Sequence, residues 1–142
     1  MDLKECLEKN FLVKIKPDKK LVDKELKEAE TDLKEAYNDF NANKFKWAII
    51  KAYYSMFHAG KSVLFALGYK ERKHVAVQIV LENLAKQGKV EYIYTQYLSS
   101  GADARESADY RYTYSKYIAE EVLENARKFL KRMKILLKTL GC

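Results

Sequence analysis

Residues 46–68, KWAIIKAYYSMFHAGKSVLFALG, constrain the fold more than any other stretch. At ~3.6 residues per turn they make one helix of about six turns. Trp47, Ile49, Ile50, Tyr53, Tyr54, Met56, Phe57, Val63, Leu64, Phe65 and Leu67 spread around most of its circumference. A single apolar stripe cannot hold them, and a helix apolar nearly all round is usually central. Lys51, His58, Lys61 and Ser62 interrupt a run that is only marginally long for a bilayer, where ~20 mostly apolar residues are needed. The reading is the middle helix of a soluble bundle.

The rest of the 142 residues supplies helices to surround it. Asp18 follows Pro17 and is placed to cap a helix in which Val22, Leu26, Ala29, Leu33, Ala36, Tyr37 and Phe40 recur at steps of four and three. Asn41-Ala42-Asn43 is a turn so short that this helix and the central one must be antiparallel neighbours. Gly68 ends the central helix, and Tyr69 to Lys73 reads as a short basic loop. His74 then begins a third helix with Val75, Val77, Ile79, Val80, Leu81 and Leu84 as core, closed by Gly88. A fourth, from about Val90, carries Val90, Ile93, Tyr94, Tyr97 and Leu98 on one side and weakens at Ser99-Ser100-Gly101. Ser115 caps the last, whose stripe is Ile118, Val122, Ala126, Phe129, Met133, Leu136 and Leu140. Lys131, Arg132, Lys134 and Lys138 sit where positive charge complements the dipole of that helix. Before Pro17, Asp2 and Glu5 resemble a capping box for a short helix with Leu3, Cys6 and Leu7, and Phe11 to Ile15 read as an extended edge.

The expectation is therefore an all-α, up-and-down bundle of about five helices forming one domain, with residues 1–17 as an N-terminal extension and 18–140 as the bundle. A net charge of +7 permits an anionic partner, although Lys and Glu are interleaved as on solvated helix faces. Cys6 and Cys142 lack metal-ligand spacing and read as free thiols. The acidic, charged start MDLKECLEKN is not a signal peptide, which makes the cytoplasm the default location.

Chemistry concentrates in residues 103–115, DARESADYRYTYS, too polar for a helix that only closes a bundle. On one continuous helix Arg105 and Asp109 stand about 40° apart and Arg105 and Tyr112 about 20°, while Tyr110 points about 140° away unless the helix loosens. Guanidinium, carboxylate and phenol on one face suit a phosphate or ribose. The same spacing equally describes a surface ion pair worth ~0.3–0.5 kcal/mol with tyrosines filling the bundle surface. His58, between Phe57 and Ala59, reads as a hydrogen-bonded core residue. His74, after Arg72 and Lys73, sits in a more exposed and basic setting suited to acid–base work. No metal site, phosphate loop or nucleophile elbow is present in the sequence.

Taken together, AYYSMFHAGKSVLFALGY with its basic loop and His74, then RESADY, then the SxxxAEEVLENARKFL pattern, resembles the HEPN superfamily in its small archaeal and bacterial branch. The resemblance runs from about Asp18 to Leu137. It implies a helical bundle, a homodimer, and partnership with a minimal nucleotidyltransferase in a toxin–antitoxin-like pair, with RNA or a nucleotide as ligand and no cofactor or metal.

Active HEPN ribonucleases carry an arginine, four to six residues, a histidine, and often a tyrosine one residue further on. Arg105 matches the arginine, Glu106 the polar residue after it and Tyr112 the trailing tyrosine, but Tyr110 stands where the histidine would. A phenol is a poor general base at neutral pH. The resemblance thus implies two functions. One is a non-catalytic module that binds RNA or a nucleotide through Arg105, Glu106, Tyr112, Arg72 and Lys73, with Tyr112 the candidate for modification by the partner. The other is a metal-independent endoribonuclease using Arg105, Asp109, and Tyr110 or His74. A purely structural helical domain is the third reading.

Overall fold

A computed structural model describes all residues 1–142. Six helices and one two-stranded ribbon follow in the order α1 (Leu3–Glu8), β1 (Leu12–Lys14), α2 (Lys19–Asn41), α3 (Phe45–Leu67), β2 (Tyr69–Glu71), α4 (Val75–Lys86), α5 (Tyr92–Tyr110) and α6 (Lys116–Thr139). Helix α3 is the hub, packed against α2, α4, α5 and α6. Its buried residues, among them Ile49, Tyr53, Met56, Val63 and Leu64, cover most of its circumference, and only the side carrying Lys51, Tyr54, His58 and Lys61 keeps partial contact with water. No helix is long and apolar enough to cross a membrane.

Helix α2 shows how the packing works. Only Val22, Ala29 and Ala36 are fully buried along it, spaced by seven, and the two alanines let α3 approach closely enough for the Ser55 hydroxyl to donate to the Ala29 carbonyl at 2.7 Å. The Asp18 carboxylate accepts from the Lys20 and Leu21 amides at the start of α2, and Ser115 accepts from Ile118 at the start of α6. Gly68 ends α3 with φ +86°, a conformation that costs glycine little, and a Cβ there would stand 2.9 Å from the Ile15 carbonyl oxygen.

Several expectations change on contact with the fold. Residues 69–71 are a strand rather than loop, pairing antiparallel with β1 in the register Leu12 with Glu71 and Lys14 with Tyr69. That ribbon, with α1, brings Leu12 and Cys6 into the common core, so the segment before Pro17 is packed with the bundle. Cys6 and Cys142 are both free thiols. Val75, Ile93 and Trp47 are exposed, because the faces of α4, α5 and α3 that carry them have no neighbour. Arg132 and Lys134 do not merely offset a dipole: Arg132 grips the Glu91 carboxylate at 2.7 and 3.2 Å, and Lys134 reaches Glu30 at 2.7 Å. Only Lys138 of the basic quartet lies in the last turn.

Nor does α5 weaken at Ser99-Ser100-Gly101; it runs unbroken through them. Gly101 is a contact point, since a Cβ there would stand 2.5 Å from the Met56 terminal methyl. The missing side chain brings α5 down onto α3, and that approach sets the height of Arg105 one turn later.

Candidate functional site

Arg105 lies on the half-buried side of α5 with its guanidinium between two phenol rings, 5.4 Å from the centre of Tyr54 and 5.5 Å from that of Tyr110. Tyr54 belongs to α3 and Tyr110 is the last residue of α5. Tyr110 reaches the arginine although the helix has not loosened, because both side chains are long. Asp109 stands one turn on, with Oδ2 3.6 Å from the nearer guanidinium nitrogen, which is an ion pair too long to be a hydrogen bond. The Arg105 Nε is buried and no protein atom accepts from it. The Arg105 side chain keeps 23% of its surface exposed, so its terminal nitrogens can be reached by an anionic acceptor.

The helix stops before Tyr112. Arg111 and Thr113 both donate backbone hydrogen bonds to the Ser107 carbonyl, at 3.2 and 2.9 Å, and this closes the last turn with Tyr112 at φ +53°. Tyr112 therefore leaves the face it would have shared with Arg105 and stands 76% exposed, its ring 5.6 Å from the Lys46 ammonium. The single-face reading of Arg105, Asp109 and Tyr112 is thus corrected for Tyr112. Glu106 is exposed on α5 and makes no ion pair.

His74 caps α4 with its backbone only. Its ring lies on Phe57, centroids 4.1 Å apart, and meets Tyr54 edge-on at 6.4 Å. Tyr54 thus lies close to both Arg105 and His74. Partial burial pulls the His74 imidazole below the ordinary histidine range; Glu71 opposes this, and the positive charges of Arg105, Lys61 and His58 add to it. The ring also borders a cleft of about 250 Å³ shared with Tyr53, Phe57, Gln78 and Asp103. The Tyr53 phenol is pushed up to about 12 by burial, so it gives and takes no proton near neutrality. Arg72 and Lys73 are exposed and joined to the ribbon, the Arg72 backbone amide donating to the Phe11 carbonyl at 2.8 Å and the Lys73 ammonium lying 5.9 Å from the Phe11 ring.

The fold therefore gathers Arg105, Asp109 and Tyr110, with His74 across Tyr54, and leaves Glu106, Tyr112, Arg72 and Lys73 outside that group. The sequence pattern alone missed Tyr54, which counted only as core, and the pairing of half-buried Lys46 with exposed Trp47. His58 is hydrogen-bonded as expected, through Nδ1 to Glu25 at 2.5 Å. No three metal-ligating side chains converge anywhere in the chain.

Residues 22–136 match the HEPN domain, and the chain belongs to that family. Similar proteins come from archaea. UPF0332 protein PH1297 of Pyrococcus horikoshii is 31% identical over 121 residues, covering 84% of this chain and 76% of that protein. Two proteins of Methanocaldococcus jannaschii are also similar: Putative toxin MJ0142, 27% identical over 82% of this chain and 81% of its own, and Putative toxin MJ0605, 30% identical over 78% and 84%.

Proposed function

We propose that the chain is a toxin-like HEPN module that captures an RNA or nucleotide phosphate at Arg105. One observation carries the reading: the Arg105 guanidinium is fixed between two phenols with a buried Nε that no protein atom satisfies and a carboxylate at 3.6 Å. The side chain is 23% exposed, so a phosphate would meet the terminal guanidinium nitrogens, where charge-assisted hydrogen bonds are the strong kind. The toxin setting is supported by the names of two relatives. Two copies joining at their Arg105 faces would double the positive charge along an RNA backbone, and a minimal nucleotidyltransferase is the partner, with Tyr112 the residue open to modification because its hydroxyl stands in solvent.

Tyr110 in the histidine position favours binding without cleavage. The nuclease reading has one observation in its favour, the neutral-leaning imidazole of His74 across Tyr54 from the arginine, which could accept a proton without metal.

Total RNA incubated in EDTA with the full chain, Arg105→Ala and His74→Ala separates these. The expected result is RNA binding that Arg105→Ala weakens by at least tenfold, with no cleavage by any of the three proteins. Cleavage lost in both variants would assign the nuclease reading, and RNA neither bound nor cut would overturn the proposal. A nucleotidyltransferase reading frame next to this gene, whose product co-purifies with the chain, is the corresponding expectation for the partner.

A further inference from the structure

The first turn of α3 and the residues just after α5 put two aromatic rings in water beside one cation. Trp47 is 50% exposed and Tyr112 76%, and the Lys46 ammonium lies 5.1 Å from the first ring and 5.6 Å from the second. Neither ring is there by default. Tyr112 holds a left-handed backbone that a non-glycine residue adopts only when its surroundings impose it, and the Thr113-to-Ser107 hydrogen bond does so. Trp47 lies in the first turn of α3 and stands half exposed although most of that helix is buried. Lys44 and Arg111, both exposed, flank the two rings in sequence, so the patch is cationic as well as aromatic.

We infer that Trp47, Lys46 and Tyr112 form a stacking site for a base of single-stranded RNA, next to the nucleotide whose phosphate Arg105 holds. The inference rests on the Arg105 reading and adds to it the form of RNA that is recognised. Stacking platforms for single strands combine exposed aromatic faces with positive charge along the backbone, and these rings provide both. Tyr110 links the two places: its ring touches Arg105, and Tyr112 follows two residues later. On binding, the base takes the ring face that the ammonium covers in the free protein, and Lys46 turns to the phosphate. A duplex offers no free base and is not accepted.

Trp47 is the only tryptophan, so intrinsic emission reports this place alone. The full chain is titrated with an end-labelled single-stranded RNA of mixed sequence, following label anisotropy for binding and tryptophan emission for stacking. Quenching at the same midpoint as binding is expected, with no quenching by the duplex. Trp47→Leu and Tyr112→Leu should each weaken binding about tenfold, and Trp47→Phe should stay within about twofold of the parent. Circular dichroism checks that each exposed substitution leaves the helices intact. RNA bound with flat emission and an unchanged Trp47→Leu would overturn the stacking site and leave Arg105 standing. No RNA bound would bring down the Arg105 reading and this one with it. A blue shift of emission on raising the protein concentration without RNA, in step with dimerisation, would put a second copy on this face and overturn the inference.

Discussion

Two polar clusters flank the same aromatic side chain, and only one of them is complete. Behind Tyr54, His58 meets Glu25 at 2.5 Å and Asp32 at 3.7 Å, while Lys61 joins Glu25 at 3.3 Å to Glu71 at 3.4 Å. That network ties α2, α3 and β2 together, with Glu25 joined to both His58 and Lys61 and Asp32 held only at ion-pair distance. In front of Tyr54, Arg105 has one carboxylate at 3.6 Å and a buried nitrogen without an acceptor. The first network contributes to folding; the second leaves a buried polar atom to be explained, and the proposed anion site is the explanation that can be tested.

The largest effect should come from breaking the complete side. Glu25→Leu removes a partner from both His58 and Lys61, and urea denaturation should show a loss of about 2 kcal/mol. That lies below the ~3–5 kcal/mol of a fully buried pair because these groups keep some contact with water. Acid should act on the same carboxyl. Burial alone would raise it, but the hydrogen bond with His58 and the charge of Lys61 outweigh burial and hold it below its ordinary 4.5. A depressed carboxyl contributes stability that is present above the unfolded value and lost as pH falls through the folded one. Stability measured below pH 4.5 should therefore fall less steeply in Glu25→Gln than in the parent. A Glu25→Leu protein as stable as the parent would dissolve the contrast.

A smaller effect of opposite sense is expected on the open side. Arg105→Leu forfeits an ion pair worth ~0.3–0.5 kcal/mol and exposed cation–π contacts of ~0.5–1 kcal/mol. It also removes a desolvated donor that costs ~1–3 kcal/mol. The balance predicts an unfolding free energy unchanged or raised by up to about 1 kcal/mol in a variant whose proposed RNA binding is expected to weaken. A loss of 2 kcal/mol or more would make Arg105 a structural residue like Lys61.

The two clusters also differ in how far the sequence revealed them. Local signals were reliable: the Asp18 and Ser115 caps, Gly68, and the stripes of α2 and α6 depend on neighbours within a turn or two. The Arg105 and Asp109 pair was legible for the same reason. Glu25 and His58 are 33 residues apart, and nothing in either neighbourhood announces the other. The extended edge at Phe11 to Ile15 was legible, but its partner Tyr69–Glu71 read as loop because those three residues gain their strand character only from Leu12–Lys14, 55 to 59 positions away. Gly101 reads locally as a break, yet its role is tertiary, and Trp47 reads as core because hydropathy cannot say which face of a helix lacks a neighbour. Tyr112 left its expected face through one backbone hydrogen bond from Thr113.

The finest test of the contrast is electrical. His74 and Arg105 both lie against Tyr54, and the arginine is one of the charges that disfavour the imidazolium, after burial and against Glu71. A histidine pulled below its ordinary 6.5 contributes stability that is present above that value and lost as pH falls through the folded one. The chain has two histidines, so His74→Asn assigns the proton resonances by difference. The His74 titration should move upward in Arg105→Gln, because a positive neighbour is gone. It should move the same way in the parent when short RNA is added, because a phosphate at the fork neutralises that neighbour. If neither change moves it, the two sides of Tyr54 are electrically independent, and His74 would titrate without sensing whether the arginine is occupied.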